Sequence, residues 1–438
     1  METEKEEKMK RKFRFLGAVA LALILAAGCA GEKTTGAMTG EEKGATSEEQ
    51  KMEKEGKKDP TPLPTDKELG IIHPLHLAEG MKIYDAQEEL KMRTFEVPYD
   101  LDENHKINME ALLARWKIFA RLFEKTDSEG TPDSTLGLVG VGYYDLEKQE
   151  MVPIAKLGEE PFENSNDLMN TYFYPIDDDR CIGVSKGHCF VYQFEDKSVI
   201  EIAHFSGSAG RPYATTEAIY IPELLGNDGV RVHVYDSHTY QELTTHNGAE
   251  KWLPWKEDGI AMRERREKPG ESVMELYLEG ETYVWKQKER KSLGDFGITS
   301  DPDAVYVLSY AYGTNELDED LTEEERKNPE NAPYYSIQKY PEMENLVRVR
   351  GAYINMWTSG PWIGIEKPYY YPDGSTDPSY ILIPGKKRAL RVTLPKLTKG
   401  PTLLPYDRVA AFYSVPERNG EIPDSLTIYT FEPKDKAQ

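Results

Sequence analysis

Val230-Arg231-Val232-His233-Val234-Tyr235-Asp236 alternates valine with other residues and ends on a tyrosine followed by an acid. A period of two sets the three valines on one buried face of a β-strand. The same strand ending recurs in Gly142-Tyr143-Tyr144-Asp145 and in Val191-Tyr192-Gln193-Phe194-Glu195-Asp196. Around each lies a crude unit of strand, turn, strand, turn and strand. The units span 138–154, 181–202 and 218–243, and three more resemble them at 259–285, 305–349 (with Tyr340 ending its second strand) and 362–392. A last one at 409–431 is placed to close a ring.

Spacings of roughly 40 to 60 residues per unit are those of a β-propeller with insertions, whose blades are small sheets set around a channel. Composition agrees: 27 Tyr, 28 Pro and 34 Gly in 438 residues point to many short strands joined by turns. The expected fold class is therefore all-β, a propeller of six to eight blades, about seven, occupying 135–438. Two packed β-sandwiches are the alternative. A propeller hides its sheet edges only if 409–431, or strands before Thr135 such as 92–99, enter one closing blade. The Tyr-Asp strand endings resemble the diverged propellers of bacterial envelope lipoproteins, the TolB-like class. That resemblance implies a location in the cell envelope.

The N-terminus reads the same way. Lys10, Arg11, Lys12 and Arg14 precede an apolar run from Phe15 to Ala27, which is too short to span a bilayer. The run ends in Leu25-Ala26-Ala27-Gly28-Cys29, which is similar to the lipobox of bacterial lipoproteins, with Ala26 where a bulkier aliphatic residue is usual. The resemblance implies removal of residues 1–28 and attachment of lipid to Cys29. Glu2, Glu4, Glu6 and Glu7 do not suit such a leader, so Met9 is read as the true start. Ala30 follows the cysteine in place of an inner-membrane retention aspartate; in a Gram-negative host that favours the outer membrane. Residues 29–66 are poor in large apolar side chains and are expected to be a disordered linker. In the N-terminal segment 67–134, Leu112, Leu113, Trp116, Phe119, Ala120 and Phe123 share one face at helical spacing, which predicts an amphipathic helix over 109–123, capped by Asn108.

A formal charge of −23 repels nucleic acid and anionic lipid surfaces, so neither is expected as a partner. Cys181 and Cys189 flank a turn at Ser185-Lys186-Gly187 and are read as either a disulfide or two buried thiols. His73 and His76, or His233, His238 and His246, match no metal signature, and no metal site or cofactor is expected. Asp177-Asp178-Asp179, Asp301-Pro302-Asp303 and Asp373 to Asp377 lack the spacing of a dedicated calcium loop, although structural calcium stays open. Glu316 to Glu330 reads as a charged, solvated insertion. No Gly-x-Ser-x-Gly elbow or lysine-bearing phosphate loop occurs.

What stands out is aromatic. Tyr369-Tyr370-Tyr371 cannot all face inward on a strand, and Trp357, Trp362 and Trp255 lie in similar Pro- and Gly-rich surroundings. Rings beside carboxylates stack on sugars or grip peptides. Trp357, Trp362, Tyr369 and Tyr371, with Trp255 next, are the expected contact residues. The expected function is a non-catalytic module binding an envelope protein or glycan; the alternative is a glycan hydrolase or lyase with its site in the channel. Replacing Cys29 by Ser is expected to abolish incorporation of a labelled fatty acid and to release the chain from the membrane fraction. Both are read on a gel of fractionated cells, and unchanged labelling would refute the anchor.

Overall fold

The computed structural model describes residues 60–98, 100–126, 135–226, 229–247, 251–256, 259–268, 271–299, 303–312, 327, 333–367, 377–393, 403–406, 409–414 and 425–434. The leader, Cys29, most of the expected linker and the 316–330 insertion, apart from Lys327, lie outside them. The described strands form seven sheets, each with four strands in sequence across the blade. Blade 1 covers 105–156, blade 2 172–204, blade 3 208–247, blade 4 251–286, blade 5 291–350 and blade 6 355–392. Blade 7 joins Leu403–Tyr406, Val409–Ser414 and Ser425–Pro433 to Leu90–Pro98 from the other end of the chain. The first strands of blades 1, 2 and 3 neighbour one another in turn, as do those of blades 5, 6 and 7, and that of blade 7 meets that of blade 1. The fold is a β-propeller with these first strands lining its channel.

Blades stacked face to face bury both sides of their middle strands. Trp362–Glu366 is buried at every position, and Cys181 to Ser185 at five in a row. That double burial explains where the sequence misleads. The segment expected to be a helix is a hairpin of His105–Ala114 and Lys117–Thr126, turning at Arg115 and Trp116. Ala111, Leu112, Leu113 and Ala114 are all buried, two toward blade 2 and Leu112 toward blade 7 with Ile428. A strand covered on both faces shows a continuous apolar run, which periodicity cannot tell from a buried helix. The propeller therefore does not begin at Thr135, which lies inside blade 1.

The Tyr-Asp endings have a physical basis. Tyr144, Tyr192 and Tyr235 fill the spaces between blades and are almost fully buried. The acid that follows closes the hairpin: Asp145 Oδ1 accepts from the Glu147 and Lys148 amides, and Asp236 Oδ1 from those of His238 and Thr239. In both turns the fifth residue, Gln149 or Tyr240, takes a left-handed backbone and donates to the carbonyl of the aspartate. Aspartate is the residue suited to this, because its short carboxylate satisfies turn amides locally. The two cysteines face opposite sides of blade 2, Cys181 toward blade 1 and Cys189 toward blade 3, and both are free. Of the two readings, buried thiols is the one found, and burial pushes the Cys189 thiol up to about 12.

The N-terminal segment binds three blades in succession. His76–Leu77 extends blade 5, Lys82–Asp85 extends blade 6 in parallel, and Leu90–Pro98 completes blade 7. The packed chain starts earlier than the expected linker boundary. Leu63 donates its amide to Ile83, and Asp66 is fully buried. The Asp66 carboxylate accepts from Arg391 Nη2 at 2.9 Å, from the Leu75 amide at 3.0 Å and from the Tyr380 hydroxyl, and lies 3.4 Å from Lys367 Nζ. Lys367 is equally buried and is also 3.8 Å from Asp377. Burial pushes the Asp66 carboxyl up, but the Lys367 charge and the hydrogen bonds outweigh it and hold it below the usual carboxylate range. Asp66→Asn takes away the anion that two buried cations share, and is expected to cost about 3–5 kcal/mol, read from urea unfolding. Since the pKa is depressed on folding, this contribution is present above about pH 4 and is lost as the pH falls through the folded value. Wild type and variant should therefore converge in acid; a gap of constant size at all pH values would contradict the assignment.

Candidate functional site

The inner wall of the propeller is weakest at blades 3 and 4. In blade 3 the first strand is split into Ser208–Ala209 and Tyr213–Ala214, with Gly210-Arg211-Pro212 between them. Proline has no amide to give to a sheet, and a strand breaks where one sits. In blade 4 the first strand is only three residues long, Lys251–Leu253. A cavity of about 470 Å³ fills the gap and reaches across the channel to Asp295, Phe296 and Gly297 of blade 5 and to Met356, Trp357 and Thr358 of blade 6.

One wall is a continuous ribbon of rings. Tyr174 and Tyr213 have centroids 5.0 Å apart, Tyr213 and Tyr220 5.8 Å, Tyr220 and Trp252 5.1 Å, and Trp252 stacks on His246 at 4.4 Å. Burial, and then the neighbouring Tyr220 ring, push the Tyr213 phenol up to about 12, and Tyr174 is raised as well, chiefly by burial. Both therefore stay neutral hydroxyls at any physiological pH. Two cations border the ribbon. Lys251 Nζ is engaged by the Asp295 carboxylate and by the Phe296 carbonyl at 2.9 Å. Arg211 is exposed, lines the cavity, and makes no ion pair or hydrogen bond with any described residue. Across from it, the Trp357 indole N–H is buried without a hydrogen-bond partner among the described residues. An orphan donor of this kind calls for an explanation, since buried polar groups are nearly always paired.

Of the residues picked from sequence that are described, Trp357 alone lines the cavity. Trp362 and Trp255 are core residues, 2% and 5% exposed, packed in the blade 6–7 and blade 4–5 interiors. Lys256 sits over the Trp255 ring, 4.3 Å from its centroid, and so covers its outer side. Trp357 is also buried, at 8%, yet it does line the cavity. Tyr369 and Tyr371 lie outside the described residues. The ring that reaches the channel from residues 252–255 is Trp252, on the strand Lys251–Leu253 and three residues before the one expected. Alternation along Lys251–Leu253 does not say which face meets the channel, so only the topology could distinguish the two tryptophans. Tyr174, Tyr213, Tyr220 and Arg211 were missed outright. Pro212 beside Arg211, between the short segments Ser208–Ala209 and Tyr213–Ala214, is the available clue to a broken inner strand.

Of the histidines singled out from sequence, His73 and His233 are structural. His73 Nδ1 is 3.2 Å from the Arg350 carbonyl, and the His73 carbonyl accepts from Lys367. His233 lies between two carboxylates, 3.0 Å from Glu223 and 3.1 Å from Glu242, and stacks on Phe205. Asp177 is held by the Arg180 guanidinium and closes its own turn through the Asp179 amide. Of the other two acidic runs, Asp301, Pro302 and Asp373 lie outside the described residues, and Asp377 faces Lys367.

No protein-family model matches the chain, and no curated protein sequence matches it. Several solved structures are similar in fold. The β-propeller domain of the Trilobed protease from Pyrococcus furiosus is 8% identical, with a TM-score of 0.44 over 75% of this chain and 94% of that one. An oligogalacturonate lyase from Vibrio parahaemolyticus is 14% identical, with a TM-score of 0.40 over 79% of this chain and 98% of that one. The acylaminoacyl peptidase of Pyrococcus horikoshii is 9% identical, with a TM-score of 0.42 over 73% of this chain and 50% of that one. These are likenesses of fold at a distance that carries nothing about activity.

The tightest contact in the cavity wall is testable. A Cβ on Gly364 would lie 1.7 Å from Trp357 Cε2, so the indole keeps its place only against glycine. Gly364→Ala is expected to destabilise the protein by about 1–3 kcal/mol and to move Trp357. Thermal unfolding and tryptophan fluorescence report the two effects, and an unperturbed spectrum with unchanged stability would contradict this packing.

Proposed function

We propose that the propeller is a non-catalytic binding module of the TolB-like envelope class, held on a membrane by lipid on Cys29, and that its ligand is a glycan carrying an acidic group. The observation that carries the ligand class is the pairing of an aromatic ribbon with an exposed arginine that has no ion-pair or hydrogen-bond partner among the described residues. The apolar faces of sugar rings lie flat on Tyr and Trp, a contact that the half-buried Tyr213 and Trp252 on the cavity wall can offer. A carboxylate on the same molecule would meet the Arg211 fork, which binds that group bidentately. A volume of about 470 Å³ lies within the range of roughly 300–1,000 Å³ in which pockets hold small ligands.

Binding is measured by calorimetry and thermal shift against neutral and uronic-acid oligosaccharides. A ligand at 100 times its dissociation constant raises stability by about 2.7 kcal/mol. An acidic oligosaccharide should bind with Trp252→Ala losing most of the affinity, and Arg211→Ala removing the preference for acidic over neutral sugar. Binding that neither substitution weakens would place the site elsewhere. Release of reducing or unsaturated ends during the titration would replace the binding reading with that of an envelope glycan hydrolase or lyase.

A further inference from the structure

A second site lies on the outer rim of blade 2, away from the channel. Its two outer strands are His188–Gln193 and Val199–His204, paired antiparallel with His188 opposite His204. The imidazoles meet with centroids 3.9 Å apart. In a regular strand Glu201, an odd number of residues from His204, would point to the other face of the sheet. It does not, because the register shifts between Cys189 and Phe190, so that Glu201 pairs with Phe190. That bulge re-aims the glutamate, which is a recurrent use of bulges. Phe190 shares its face with His188, so the glutamate arrives beside both histidines. Glu201 Oε1 is 2.9 Å from His188 Nδ1 and 4.0 Å from His204 Nδ1. One nitrogen from each histidine and one carboxylate oxygen lie within 4.8 Å of one another.

We propose that His188, Glu201 and His204 form a binding site for a divalent transition metal of the borderline class, with Zn²⁺ as its natural probe. Two imidazoles and one carboxylate are the donor types that such ions take. Bonds of about 2.0–2.2 Å in a tetrahedron place ligand atoms roughly 3.3 Å apart. The observed 2.9 and 4.0 Å bracket that spacing. His204 is 60% exposed and can close the longer distance by a small side-chain rotation, and the 47% exposure of Glu201 leaves room for water in the fourth position. Without a metal, two imidazoles compete for one carboxylate; with one, all three meet a single cation. Sequence spacing gave no hint of this, since the histidines come from different strands and the expectation of no metal site rested on local motifs.

The test uses the full chain. Zn²⁺ binding is followed by calorimetry and by unfolding temperature, and Co²⁺ supplies visible bands that report its ligands. One equivalent of Zn²⁺ should bind and raise the unfolding temperature. His204→Ala and Glu201→Gln, both on the surface, should each weaken binding at least about tenfold. His238→Ala, an exposed histidine outside the cluster, should leave it unchanged. Circular dichroism of the metal-free variants separates a lost ligand from a lost fold. The proposal is overturned if the wild type takes up no Zn²⁺ at about 100 µM, a concentration well above that of any structural site. It is equally overturned if both variants bind as the wild type does, since the ion would then sit elsewhere.

Discussion

Nine paired positions between Leu90–Pro98 and Ser425–Pro433 hold this ring closed. A ring of sheets built from one chain has a single seam, and an open seam exposes two rows of unpaired amides and carbonyls. Here the outermost strand of blade 7 comes from the N-terminal side and the other three from the C-terminal side. The pairing has no register shift along its whole length. The seam is reinforced by the route the chain takes to reach it. By adding edge strands to blades 5 and 6 first, the segment 76–85 is fixed along the rim before it enters blade 7. The buried Asp66, with Lys367, Tyr380 and Arg391 around it, pins the start of that route to blade 6.

Closure determines the channel, and the channel determines what the inner strands can do. Six of the seven first strands need only cover the wall; where one is broken by Pro212 and its neighbour is short, the second and third strands of blade 3 look through the gap. That is why Tyr220 and Val232, which in an intact blade would be covered, line the cavity beside Trp252. The aromatic ribbon follows from a defect in the wall, and the defect lies where Pro212 and Pro222, neither with an amide to give, line the gap.

The parts of this structure that could be read in the sequence are those in which one residue does one job. Val230, Val232 and Val234 alternate onto one buried face, although His233 and Tyr235 bury the other as well, and Tyr235-Asp236 marks a ring plugged between blades followed by a turn closed by carboxylate. The misread parts are those where two pressures act on the same residue. Leu112 and Leu113 are buried on opposite faces, so their strand shows no alternation and imitates a helix. Trp252, in the short strand Lys251–Leu253, and Trp255, just beyond it, sit three residues apart, one facing the channel and the other the blade 4–5 core, and nothing local separates them. Glu201 reaches the histidines only through a bulge, which local composition does not encode. Tertiary arrangement decides such cases, and the sites on a propeller are built almost entirely from them.

The two sites also differ in how the fold supports them. The channel cavity is walled by strands from five blades, so its geometry depends on the ring being closed, and any opening at the Leu90–Pro98 seam would be felt by Trp252 and Trp357 together. The His188, Glu201 and His204 cluster belongs to one pair of strands in one blade. It answers to the local twist of that hairpin and hardly at all to closure. Chain continuity still joins them: after His204 the backbone places Phe205 against His233, turns at Gly207, and reaches Arg211 seven residues on. Fixing the end of Val199–His204 by a bound ion would fix the start of the short segment that carries Arg211 and Tyr213 into the channel wall. The rim and the cavity are thus joined by one short stretch of backbone.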